Sequence, residues 1–159
     1  MSRLLAKLDR KTLKNLPEIL EGYETKLQGW QDNVKIDGKN IEAANIEQAS
    51  WLAYYDEIKV ELRTLVEYLE MKEKEVRGRL TMEIIKNASL DHNERTRERL
   101  IDAEPEYIRM HSNFLLAGEV YRMADMIVNQ FLQRAYALNN LVKIRVAQIQ
   151  DITLYIDDR

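Results

Sequence analysis

Apolar side chains recur along this chain at alternating steps of three and four residues. Trp51, Tyr55, Ile58, Leu62, Leu65 and Leu69 follow one another in this way, and Val76 continues the line one heptad on. That spacing keeps a stripe on one face of an α-helix and makes the seam of a coiled coil. From about Asn40 to about Asn87 there is no proline, and Gly78 is the only glycine. One uninterrupted helix is therefore predicted, reaching on the order of 70 Å at 1.5 Å per residue. Such a helix cannot cover its own stripe and needs another element to pack against. After Leu69 the line weakens. Lys72 and Arg79 stand at heptad positions, and Leu80 and Ile84 follow Val76 at steps of four. The stretch 72–90 is expected to emerge from its bundle towards a tip, closed by the turn formers Asn87, Ser89, Asp91, His92 and Asn93.

A second helical region begins near Glu94, with Pro105 marking a break or a new helix start near Asp102. Beyond it Phe114, Ala117, Tyr121, Ala124, Val128, Phe131, Ala135, Leu138, Val142, Arg145, Ile149, Ile152 and Ile156 alternate three and four apart, with Arg145 alone breaking the line. Leu116, Ile127, Leu132, Leu141 and Ile144 lie beside it. The stripe is thus wider than a two-stranded seam and suits contact with more than one neighbour. Phe114, Tyr121, Val128, Phe131, Leu138, Val142 and Ile149 are the expected core and oligomer contacts. The fold class that follows is all-α: a long antiparallel helical hairpin, coiled-coil-like, with a short N-terminal helix, which oligomerises through leftover apolar surface.

Ahead of the hairpin, residues 1–14 carry Arg3, Lys7, Arg10, Lys11 and Lys14 against one acid, Asp9. A short helix is expected in this basic arm through Leu4, Leu5 and Leu8. Asn15 is placed to cap a helix whose first turn holds Pro17, running to about Trp30. The polar stretch from Asp32 to Asn40, with its Asp37-Gly38 pair, is the clearest loop. Two regions result: 1–35, arm and short helix, and 36–159, the long-helix hairpin.

Composition narrows the chemistry. Five glycines and two prolines in 159 residues leave little turn material for a sandwich or barrel. There is no cysteine, which removes disulfides, thiolate zinc sites and thiol nucleophiles. His92 and His111 are not spaced as metal ligands on a helix, and no glycine elbow or phosphate loop occurs. No catalytic residue, metal or cofactor is assigned, and the chain is expected not to be an enzyme. No apolar run has the length of a membrane span, and the N-terminus lacks the long apolar core of a secretory signal. A cytoplasmic, membrane-free protein is the expectation.

The net charge of −3 means that nucleic-acid binding would have to come from local clustering. Between 72 and 99 the bases are Lys72, Lys74, Arg77, Arg79, Lys86, Arg95, Arg97 and Arg99, eight against six acids. Glu70–Lys74, Glu73–Arg77 and Glu75–Arg79 are spaced four apart with the acid first, an arrangement that supports a helix without any ligand. Trp30, Trp51, Tyr54, Tyr55 and Tyr68 could stack on bases. Trp51 and Tyr55 lie on the seam and read as core, which leaves Tyr54 and Tyr68 open.

The run Arg77-Gly78-Arg79-Leu80 follows a long helix that opens, after Ile36-Asp37, with Glu42-Ala43-Ala44-Asn45. In these features the chain resembles the UvsY-type recombination mediator proteins of tailed phages. That family carries a short motif Leu-Lys-Ala-Arg-Leu-Asp-Tyr associated with single-stranded DNA, matched here by Val76-Arg77-Gly78-Arg79-Leu80-Thr81-Met82. Both basic positions and the leucine are kept in type, glycine replaces alanine, and the Asp and Tyr are absent. Arg134-Ala135-Tyr136-Ala137-Leu138 is similar to a run in the family's last long helix. The resemblance spans roughly residues 20–150, and the basic arm lies outside it. It implies a ring-shaped, heptamer-like homo-oligomer that binds single-stranded DNA and helps a RecA-like recombinase replace single-strand-binding protein, in a bacterial host cytoplasm. Arg77 and Arg79 would contact phosphates, with Lys72 and Lys74 one turn away and Lys86, Arg95, Arg97 and Arg99 as further contacts. The alternative is a helical scaffold or adaptor that binds no nucleic acid.

Overall fold

The computed structural model describes residues 3–36, 41–87 and 93–156, with side chains left out at Arg3, Asn87 and 149–156. Among the described residues the chain is wholly helical: α1 (Arg3–Lys7), α2 (Leu16–Leu27), α3 (Trp30–Val34), α4 (Ile41–Asn87), α5 (Glu94–Asp102) and α6 (Pro105–Ile156). The long helix pair predicted by the apolar spacing is α4 and α6. No helix among the described residues is long and apolar enough to cross a membrane. The Asp37-Gly38 pair, the turn formers Ser89, Asp91 and His92, and the side chains of Ile149, Ile152 and Ile156 lie outside the described residues.

Local chemistry explains the helix ends. Gly29 adopts φ 75°, a left-handed conformation that separates α2 from α3 and that a side chain would resist. Asn93 caps α5, its side chain accepting from the Thr96 amide at 2.9 Å. Pro105 opens α6, where its missing N–H costs nothing. Asn15 does not cap α2 with its side chain. Its Oδ1 accepts from the Asp9 amide at 2.9 Å and its Nδ2 donates to the Lys7 carbonyl at 2.8 Å, so it ties the arm back on itself.

The chain forms two compact units, and both long helices contribute to each. The first comprises residues 1–26 and 60–122. Leu62, Leu65 and Leu69 of α4 are fully buried in it, with Leu4, Leu8, Leu16, Leu20 and Tyr23 of the N-terminal segment and Met110, Ala117 and Val120 of α6. Tyr23 donates to the Glu61 carboxylate at 2.5 Å. Leu80, Ile101 and Tyr107 form a further cluster, with Val76 and Ile84 packed against it. The stretch 72–87 is therefore not a bare tip. Its drifting apolar face is covered by α5 and the start of α6, which is why Leu80 and Ile84 depart from the heptad line.

The second unit comprises residues 27–59 and 123–159. Ile41 and Ala44 pack with Leu138, and Ile36 and Leu141 join them. Tyr55 stacks on Phe131 at 5.0 Å between ring centroids and accepts from Asn33 at 3.1 Å. Lys59 pairs with Asp125 at 2.7 Å. Ascending positions on α4 meet descending ones on α6, so the two segments run antiparallel here.

The buried line of α6 differs from the expected one by a single register step. Ala117, Ala124, Phe131 and Leu138 are buried as predicted, but their alternates are the buried Val120, Ile127 and Arg134 and the half-buried Leu141. The expected alternates were Tyr121, Val128, Ala135 and Val142. Val128 is buried as well; Tyr121 and Ala135 are half-buried, as is Phe114, and Val142 is 37% exposed. One of the observed alternates, Arg134, is a charged residue in a core position. It is only 5% exposed and donates from one terminal nitrogen to the Ala44 carbonyl, at 3.0 Å, and to Gln48 Oε1. Gln48 in turn donates to the Phe131 carbonyl at 2.6 Å. On α4, Gln48 extends the seam back from Trp51 through Ala44 to Ile41 in the same three-and-four steps. Burial pushes the Arg134 pKa down, and its Nε is buried without a hydrogen-bond partner.

Arg134→Ala, which leaves Gln48 and the Ala44 carbonyl unmatched, should cost about 2 kcal/mol or more in urea unfolding. The double variant Gln48→Leu/Arg134→Met should recover most of that loss, because both polar partners are removed together.

Candidate nucleic-acid interface

The predicted contacts Lys72, Lys74, Arg77 and Arg79 stand on a continuous stretch of α4, where the 3.6-residue period spreads them over nearly two turns. Each meets a carboxylate. Lys74 pairs with Glu70 at 2.5 Å, the one predicted four-residue pair that forms. Lys72 pairs instead with Glu75 at 2.7 Å, and that bond raises the Lys72 pKa. Arg79 reaches Glu106 at 2.5 Å and Glu83 at 3.1 Å, and both raise its pKa, Glu106 more strongly. Arg77 lies 3.8 Å from Glu98 on α5.

Two expected pairs fail for an identifiable reason. Glu73, whose side chain is 14% exposed, accepts from the Tyr107 hydroxyl at 3.1 Å and contacts His111 Nδ1 at 2.7 Å. It is held against α6, and burial together with the bond to Glu73 pushes the Tyr107 pKa up. Arg77 is left to lie over the Tyr107 ring, 5.9 Å from its centroid. Once Lys72 engages Glu75, Arg79 turns to Glu83 and Glu106. Intrahelical spacing alone could not foresee competition from α5 and α6.

These pairs are weak locks. The guanidinium side chains of Arg77 and Arg79 are 45% and 47% exposed, and exposed ion pairs are worth about 0–1 kcal/mol each. A phosphate can replace a surface carboxylate at little net cost, since the cation keeps a charged acceptor throughout.

The remaining candidates are more dispersed. Lys86, Arg95 and Arg99 are exposed and Arg97 is half-buried. Arg95 and Arg99 lie four apart on α5, on one helix face. Of the aromatics, Tyr55 is buried, and Tyr54 meets Trp51 and Tyr55 edge-on at 6.4 Å and 5.1 Å. Tyr68 is half-buried and donates to the Arg10 carbonyl at 3.5 Å. Among the described residues, the aromatic ring against Arg77 is that of Tyr107, which is itself buried. Arg109 on α6, which the sequence alone did not single out, faces a cavity together with Lys72 and Arg79. The antiparallel pairing of α4 with α6 brings it there. Among the described residues no group of three or more His, Asp or Glu side chains is gathered as a metal would need.

A Cβ added to Gly78 would meet open space. No protein neighbour requires glycine there, and mid-helix glycine costs about 0.5–1 kcal/mol relative to alanine. Gly78→Ala should therefore raise the unfolding free energy by about that amount, measured by urea denaturation.

Compared with known proteins, the chain matches no family model, no curated protein and no solved structure.

Proposed function

We propose that this chain is a non-catalytic recombination mediator of the UvsY type: a ring-shaped homo-oligomer that binds single-stranded DNA and helps a RecA-like recombinase displace single-strand-binding protein. The observation that carries this function is the exposed Arg77–Arg79 pair, set in the stretch that resembles the family's DNA-binding motif and engaged by surface carboxylates and, for Arg77, the Tyr107 ring. Exposed apolar side chains on α6, among them Leu116, Leu132, Tyr136 and Ile144, support self-association. Self-association matters because one subunit offers few phosphate contacts and carries a net negative charge. Linked copies on one strand raise the effective concentration of every further contact.

A helical scaffold or adaptor is the second possibility. It is favoured by the carboxylate partner found for each of Lys72, Lys74, Arg77 and Arg79. Fluorescence anisotropy with a labelled oligonucleotide separates the two. For the mediator, log affinity falls linearly with log salt, by about 0.7 per phosphate neutralised. Arg77→Ala/Arg79→Ala flattens that slope and leaves the helical content unchanged. If the oligomer binds no oligonucleotide at low salt, the scaffold function is favoured; an unchanged slope in the double variant removes Arg77 and Arg79 from the site.

A further inference from the structure

Within the first unit, the N-terminal arm, α4 and α6 line a cavity of about 220 Å³. Five cations face it: Arg10 and Lys11 from the arm, Lys72 and Arg79 from α4, and Arg109 from α6. The carboxylates on its wall are Glu75 and Glu106, so the lining carries a surplus of three positive charges. Glu75 is engaged by Lys72 at 2.7 Å and Glu106 by Arg79 at 2.5 Å. Arg10 donates from Nε to the Leu5 carbonyl at 3.2 Å. Among the described residues, the side-chain cations of Arg10, Lys11 and Arg109 form no ion pair with a carboxylate. Like charges gathered around a concavity repel one another, and an anion in the cavity relieves that repulsion.

The arm presents its cations from a fixed turn. The Asp9 carboxylate accepts from the Lys11 amide at 3.1 Å, the Thr12 amide at 3.3 Å and the Thr12 hydroxyl. These bonds, the hydroxyl's foremost, hold the Asp9 carboxyl below its usual range. Leu13 takes the left-handed φ of 55° that this closure demands. The Tyr68 hydroxyl docks the turn on α4 through the Arg10 carbonyl. Recognition groups held before a ligand arrives lose less entropy on binding. The volume is below the roughly 300–1,000 Å³ of pockets that enclose whole small-molecule ligands, which suits a phosphate group with its waters better than a nucleotide.

We infer that this cavity is a phosphate subsite for single-stranded nucleic acid, with Arg10, Lys11 and Arg109 as direct contacts. Lys72 and Arg79 join them by exchanging Glu75 and Glu106 for the phosphate. The inference rests on the DNA-binding function proposed above and extends the strand's path from α4 onto the arm. It gives the basic arm, which lies outside the family resemblance, a defined role.

The test compares Arg10→Ala/Arg109→Ala with Lys143→Ala/Arg145→Ala in the full chain. Both doubles change net charge equally, and Lys143 and Arg145 are exposed residues of α6 outside the cavity. Anisotropy of a labelled oligothymidylate is read across a salt series, with circular dichroism confirming helix content. The cavity double should lower the salt slope by about 0.7, the value for one phosphate no longer neutralised, while the control double keeps the wild-type slope. If wild-type protein binds and both doubles retain its slope, the subsite is refuted and the mediator function stands. If wild-type protein binds no oligothymidylate even at low salt, the mediator function falls and the subsite with it.

Discussion

Two helices as long as α4 and α6 each expose an apolar stripe that neither can cover alone, and the structure depends on the seam where they cover one another. In the second unit the seam is set in three-and-four steps from both sides, from Ile41 to Ile58 on α4 and from Ala124 to Leu138 on α6. A purely apolar seam of this kind tolerates sliding by a heptad, because every layer resembles the next. Gln48 and Arg134 remove that freedom. Their hydrogen bonds to each other and to the Ala44 and Phe131 carbonyls are met in one register only. A buried polar layer that costs stability while specifying alignment is a known device of coiled coils, and the unmatched Arg134 Nε is a sign of that cost.

The first unit solves a different problem. Its part of α4 carries both the buried Leu62–Leu65–Leu69 line and the basic residues from 72 to 79. Packing fixes the backbone of the helix, while Glu70, Glu75, Glu83, Glu98 and Glu106 neutralise its cations at the surface. In the proposed function, surface pairs of this strength would yield to a polyanion that engages several cations together, with strong binding only where many copies act on one strand.

The seam of α4 was legible in the sequence because its core positions from Tyr55 to Leu69 are all large and apolar. Its beginning was not, since Gln48 is polar and the rule that finds seams looks for apolar residues. Arg134 misled in the same way at its own position, where the apolar Ala135 beside it offered a substitute. The basic residues were legible as a set, but their partners were not. Glu73 is drawn to Tyr107 and His111, and Arg109 reaches the cavity beside Lys72 and Arg79, only because α6 returns antiparallel to α4. The cavity depends further on where the arm folds back, a matter settled by Asp9 and Asn15, whose types signal a turn but not its destination.

Sedimentation velocity of the full chain at micromolar concentration bears most directly on self-association. The proposed function rests on the exposed apolar side chains of α6 joining copies of the chain, and it predicts one sharp boundary at the mass of a closed oligomer. A well-folded species that sediments as an 18.8 kDa monomer would contradict it.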